Sequence, residues 1–232
     1  MRALTDILQE SPPPPSWSRR PDVIPPLLRG WLHLVCFVLS LPAGAVAIAS
    51  AGSTRARVAA VVYALGMSSM FGVSAAYHRR RWSPVARKRM RRLDHGTIFV
   101  MIAGSYTPLC LLALGGGSGG TILTAAWVGA GLGFFFALSG IAEKAVFGLL
   151  CYIGLGWAMV FALPELSRQL SAGEIGLLFA GGVVYTLGGI VLGTRWPNPS
   201  PAYFGYHEVW HAMVALACAF HYVIILSVIR AG

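Results

Sequence analysis

Apolar positions along the chain gather into seven long runs: Trp31–Ala51, Val58–Tyr77, Gly96–Leu114, Thr121–Ile141, Ala145–Leu163, Ile175–Gly193 and Val209–Ile229. Each run holds 19 to 21 residues and contains no Asp, Glu, Lys or Arg. At about 1.5 Å rise per residue, a helix of that length spans about 30 Å, the thickness of a bilayer's hydrocarbon core. Inside that core every backbone N–H and C=O must be paired within the protein, which leaves helices and closed barrels. The runs lack the in–out alternation of barrel strands. The pattern therefore predicts an all-α membrane protein, a seven-transmembrane helix bundle. The links between runs are short, so consecutive helices should be neighbours. The longest is an Arg-rich segment between the second and third runs, expected as a loop. The next, Thr194 to Tyr206, is rich in Pro and aromatic residues, and Gly115–Gly120 is expected as a flexible turn.

Composition removes the soluble classes. Only 11% of the 232 residues are charged, less than half the usual share of a soluble domain. Residues 1–30 contain seven prolines, Pro12–Pro15 among them, and no apolar run long enough for a cleavable signal peptide. They are expected as a disordered, Pro-rich cytoplasmic tail. The four cysteines, Cys36, Cys110, Cys151 and Cys218, lie inside apolar runs without CxxC spacing. They are expected as packing residues rather than disulfides or thiolate ligands. The pairs Gly129/Gly133 and Gly189/Gly193 have GxxxG spacing, expected to serve helix packing within the chain.

Charge orients the bundle. With the N-terminus cytoplasmic, fourteen basic residues fall on the inside and four outside. This bias predicts the N-terminus inside and the C-terminus extracytoplasmic. Arg79–Arg92 alone has eight basic residues in fourteen. Beside an apolar span such a cluster meets anionic lipid headgroups, and no nucleic-acid partner is expected.

On this topology three helix ends far apart in sequence meet at one depth. The second helix ends at His78 with Ser74 one turn earlier; the third carries Asp94 and His95 in its first turn; the seventh starts with His207, Glu208 and His211. His207 and His211 are an i, i+4 pair on one helix face. With His78 they make a three-histidine set suited to a zinc ion whose fourth position is open for water. The metal would bring that water's pKa toward neutrality. Asp94 is then either a general base on the water or a fourth ligand, and Ser74 a hydrogen-bonding group for substrate or water. His33, His95 and His221 are assigned no metal role. The string His207–His211 also reads H-E-x-x-H, the zincin signature in which the glutamate is the general base. An intramembrane metalloprotease is thus an alternative, with Glu208 as its base. Such an enzyme needs a third ligand downstream, and the 21 residues after His211 contain no Asp or Glu.

The chain resembles the haemolysin III family, the bacterial branch of the progestin and adipoQ receptors. The resemblance rests on Ser74-x-x-x-His78, Arg91-Arg92-Leu93-Asp94-His95 and Ala103-Gly104-Ser105-Tyr106-Thr107-Pro108. It continues with Gly156-Trp157, Gly181-Gly182-Val183-Val184-Tyr185-Thr186-Leu187-Gly188 and His207-x-x-x-His211. It covers nearly everything from Trp31 to Ile229, within a seven-transmembrane domain of residues 31–232. The resemblance implies a cytoplasmic N-terminus and zinc held near the inner surface by His78, His207 and His211. It also implies Asp94 acting through the zinc-bound water, and Ser74 as the serine of the SxxxH motif. Eukaryotic relatives look like lipid amidases that cleave ceramide to sphingosine and a fatty acid. Bacterial members are named for haemolysis, and some are discussed as pore formers. Two departures are visible: where the family often has Glu and Asn just before a histidine on its first helix, Gly30-Trp31-Leu32 precedes His33 here, and Glu208 fills a position of the HxxxH motif expected to vary in the family, so its zincin match is assigned to chance.

The expectation is a multi-pass protein of the bacterial cell membrane: a zinc-dependent hydrolase of a lipid amide or ester, ceramidase-like, working near the cytoplasmic leaflet. The alternative is a membrane-perturbing haemolysin or channel with structural zinc.

Overall fold

The computed structural model describes residues 26–114, 116–140 and 145–232. Among these residues seven helical rods are long and apolar enough to cross a membrane. They are built from α1 (Trp31–Ala49), α2 (Thr54–Arg79), α3 (Pro84–Pro108), α4 (Gly116–Ser139), α5 (Ala145–Trp157), the single turn α6 (Leu163–Leu166), α7 (Ala172–Thr194) and α8 (Tyr206–Ala231). Each of the first three helices packs along the next, α8 packs on α7 and also meets α1, and α3 touches α2, α4, α5 and α8. Apolar residues such as Val35, Val38 and Leu39 on α1 and Phe135 on α4 face outward, as a bilayer requires.

The second and third rods differ from the sequence reading in one respect that matters for the site. The Arg-rich segment is not a loop. Ser83 caps the helix by accepting from the Ala86 N–H, Pro84 opens it, and α3 runs through most of the basic residues before reaching Gly96. Proline at the first turn and long straight-chain side chains are good helix starters and formers. Asp94 consequently lies nearly three turns into α3 rather than in its first turn. The turn expected at Gly115–Gly120 is likewise helical from Gly116 on, as the start of α4.

Two rods change pitch. After Pro108 the third rod continues as a π-helical turn over Leu109–Ala113. The fifth passes from α5 into a 3-10 segment, Ala158–Ala162, directly ahead of Pro164. A proline supplies no N–H and its ring crowds the carbonyl four residues earlier, so an α-helix does not run smoothly through it. The carbonyls released at the end of α5 find a partner: the Tyr106 hydroxyl donates to Leu155 O at 2.7 Å and Gly156 O at 3.0 Å.

The interior has two main apolar clusters. One joins α1, α2 and α8 through Ala47, Tyr63, Met67, Phe71, Val214, Cys218 and Ile225. The other joins the third, fourth and fifth rods to α8 through Tyr106, Leu109, Ala126, Met159, Leu166 and Ile224. Close helix approach occurs where α2 and α3 cross at Gly66 and Gly104, whose Cα atoms face each other across the contact. Gly129 and Gly189 pack under Leu155 and Leu149, so the GxxxG spacings serve packing inside the chain. All four cysteines are free.

The tail expected over residues 1–30 lies outside the described residues as far as residue 25. Its last five residues form a turn. Leu27 and Leu28 donate backbone hydrogen bonds to Ala202 O and Tyr203 O at 2.9 and 3.1 Å, and Arg29 N donates back to Pro26 O at 3.0 Å.

Candidate metal centre

At the arginine-rich end of the bundle, α2 finishes, α8 begins and α1 begins within reach of one another. His78 is the penultimate residue of α2. The end of α2 is fixed from outside: the Trp82 indole donates to Ala76 O at 3.1 Å, and the Arg79 guanidinium lies 3.7 Å over the Trp31 ring. His207 and His211 occupy the first and second turns of α8, which Glu208 caps by accepting from Gly205 N–H at 2.8 Å. A side-chain acceptor there satisfies one of the donors that every helix start leaves unpaired.

These three histidines converge. Each offers a ring nitrogen, and the three nitrogens lie within 4.8 Å of one another. His78 Nε2 and His207 Nε2 stand 3.2 Å apart. The ring planes meet at 64° to 68° with centroids 4.6 to 5.0 Å apart, so the rings are arranged around a point rather than stacked. Asp94 reaches the same nitrogen from α3, with Oδ2 3.8 Å from His78 Nε2. His211 is buried, and among the described residues its Nδ1 has no hydrogen-bond partner. A buried imidazole nitrogen without a partner is costly. The His78, His207 and His211 rings with a carboxylate alongside form a group able to hold a metal ion.

Two further residues complete the surroundings. Ser74, buried one turn before His78, hydrogen-bonds His33 Nδ1 at 2.8 Å, and its side chain also reaches the Asp94 carboxyl. His33, in the first turn of α1, lies flat on His211 with ring centroids 3.7 Å apart and planes 13° apart. Phe71 meets His33 edge-on. The chain thus places Asp94, Ser74, His33 and His211 in one contiguous set.

The family profile described as "Haemolysin-III related" matches residues 22–222. The chain belongs to the haemolysin III family. It is 33% identical to "Hemolysin-3" of Bacillus cereus over 186 residues, covering 78% of this chain and 81% of that one. It is 29% identical to "Hemolysin-3 homolog" of Bacillus subtilis over 190 residues, covering 78% and 84%. A more distant relative is the human "Monocyte to macrophage differentiation factor", 24% identical over 173 residues, covering 72% and 68%. With its seven apolar rods, this haemolysin III family member is a multi-pass protein of the cell membrane.

Most of the residues singled out in the sequence meet here. His78, His207, His211, Asp94 and Ser74 share one site. Glu208 is beside it but engaged elsewhere, with one oxygen on Gly205 N–H and the other on Arg29. His95 and His221 are not in the three-histidine group, and His221 lies against Tyr185 and Leu178 O further along α8. His33 is the residue the sequence reading passed over. Its signal was present: His33 and Ser40 are two helical turns apart on one face of α1, and both are buried.

Proposed function

We propose that this haemolysin III family protein is a zinc-dependent hydrolase of a lipid amide or ester, ceramidase-like, acting at the cytoplasmic leaflet. The observation that carries the reading is the convergence of three imidazoles with Asp94 3.8 Å from one of their nitrogens. Two nitrogens bound to one tetrahedral zinc at about 2.0–2.1 Å stand about 3.3 Å apart. The 3.2 Å between His78 Nε2 and His207 Nε2 fits that edge. A donor set of neutral imidazoles suits zinc, and the three ring nitrogens gathered within 4.8 Å of one another support the reading.

His78, His207 and His211 would hold the ion. When bound, zinc supplies Lewis-acid polarisation of a carbonyl and eases deprotonation of water. Asp94 takes a proton from the attacking water and gives it to the departing amine nitrogen as the C–N bond breaks; the carboxylic acid formed then passes its proton to the amine, leaving a carboxylate and an ammonium group. Ser74 holds the Asp94 carboxyl in position and ties it to His33, whose ring backs His211. The site sits at helix ends, at the boundary of the apolar spans, where a lipid moving sideways in the leaflet presents its polar linkage. The basic helical extension that begins α3 orients this end toward the anionic inner surface.

The test is hydrolysis by the purified full-length protein in detergent. A short-chain ceramide should be cleaved, a chelator should stop the reaction, and added zinc should restore it. Activity that persists after complete metal removal contradicts the reading. Dye leakage from liposomes that survives chelation, with no hydrolysis, favours the membrane-perturbing alternative.

A further inference from the structure

Glu208 is one carboxylate beside the site that this chemistry leaves unused. It is 1% exposed, with Oε2 accepting from Gly205 N–H at 2.8 Å and Oε1 paired with Arg29 Nε. Arg29 belongs to the turn ahead of α1. That turn is fastened by Leu27 and Leu28 to Ala202 and Tyr203 in the segment leading into α8. The same segment is held at its other side by Asn198, whose Oδ1 accepts from Tyr206 N–H at 3.0 Å. The residue after Arg29, Gly30, adopts a left-handed φ of 76°. It presses so closely on α2 that a Cβ there would stand 2.6 Å from His78 Cβ. One ion pair therefore runs from the α8 turn carrying His207 and His211 to the backbone lying on His78.

The ligands come from two rods, α2 and α8, that touch each other far less than each is supported elsewhere: α2 packs along α1 and α3, and α8 along α7. Something must set their mutual position to a fraction of an ångström. We infer that the Arg29–Glu208 pair is a latch that positions His207 and His211 against His78, which makes Arg29 and Glu208 positioning residues of the metal centre. The inference rests on the metal reading above. An ion pair of this kind contributes little net stability and in some proteins serves to specify one arrangement, and residues supporting a metal's ligands commonly alter affinity about 10–100-fold. With both of its oxygens taken, Glu208 is assigned this role in place of the general base of a zincin.

The experiment is a zinc titration of the full-length protein against a competing chelator, comparing wild type with R29Q/E208Q. The double variant removes both charges together, so none is left buried and unpaired, and glutamine at 208 can still accept from Gly205 N–H. Zinc affinity should fall about 10–100-fold. Saturating zinc should restore wild-type hydrolysis and the wild-type visible spectrum of the cobalt-loaded protein. The melting temperature of the metal-free form should stay within about 4 °C of wild type. Wild-type affinity in the variant overturns the latch. So does an E208Q protein that stays inactive at saturating zinc while R29Q is fully active, since that pattern belongs to a catalytic base. If the double variant does not fold, R29K, which keeps the charge and loses the Nε–H, should still bind zinc more weakly, and wild-type affinity there overturns the latch. Wild-type protein that binds no zinc overturns the metal reading itself, and the latch with it.

Discussion

Asp94→Asn is expected to lower hydrolysis of a ceramide-like amide about 10²–10⁴-fold, the usual contribution of a positioned general base, while zinc content stays at the wild-type level. Asparagine has nearly the same shape and can keep a hydrogen bond to Ser74, so the helices need not move. What it cannot do is take a proton. The 3.8 Å between Asp94 Oδ2 and His78 Nε2 places the carboxyl beside the ligand set. The sequence left two roles open for it, base or fourth ligand, and the same variant separates them. Loss of turnover with metal retained marks the base. Loss of both marks the ligand. Full activity in Asp94→Asn removes Asp94 from the chemistry altogether.

The second large effect is expected at His207. His207→Ala removes one of three ligands and should weaken zinc binding by more than the roughly 10–100-fold that follows loss of an outer-shell partner, with hydrolysis falling in parallel. The fold should survive. His207 is partly exposed at the first turn of α8, and the cap on that helix comes from Glu208 rather than from the histidine. His95→Gln is the matching control. His95 is outside the three-histidine group, so the zinc content of this variant should equal wild type. Metal content and a circular-dichroism melt on the two variants decide the point; equal zinc in both would exclude His207 as a ligand.

Much of this molecule was legible in its sequence because the bilayer allows so few solutions. Seven uncharged runs of spanning length admit little besides seven helices, and the free cysteines and intramolecular glycine contacts followed the same reasoning. The site was legible for a related reason. Ionisable groups are scarce in such a chain, so His78, Asp94, His207 and His211 stood out once the helix ends were aligned. The misreadings arose where local chemistry competes with hydropathy. Polarity suggested a loop at Arg79–Arg92, but Ser83 and Pro84 start a helix there and arginine continues it. The hydropathy of the fifth run hid the change of pitch ahead of Pro164. His33 looked solitary because its partners are far along the chain, Ser74 on α2 and His211 on α8. Glu208 matched a motif letter for letter, yet its role in the structure is set by Arg29, on a segment whose sequence gives no hint of the pairing.

X-ray absorption at the zinc edge of the purified, full-length protein tests the centre most directly. It should show one zinc per chain with three nitrogen neighbours at about 2.0–2.1 Å, and in His78→Ala and His211→Ala that signal should be gone. A well-folded wild-type protein that takes up no zinc, or one whose zinc has sulfur neighbours near 2.3 Å, would contradict the account.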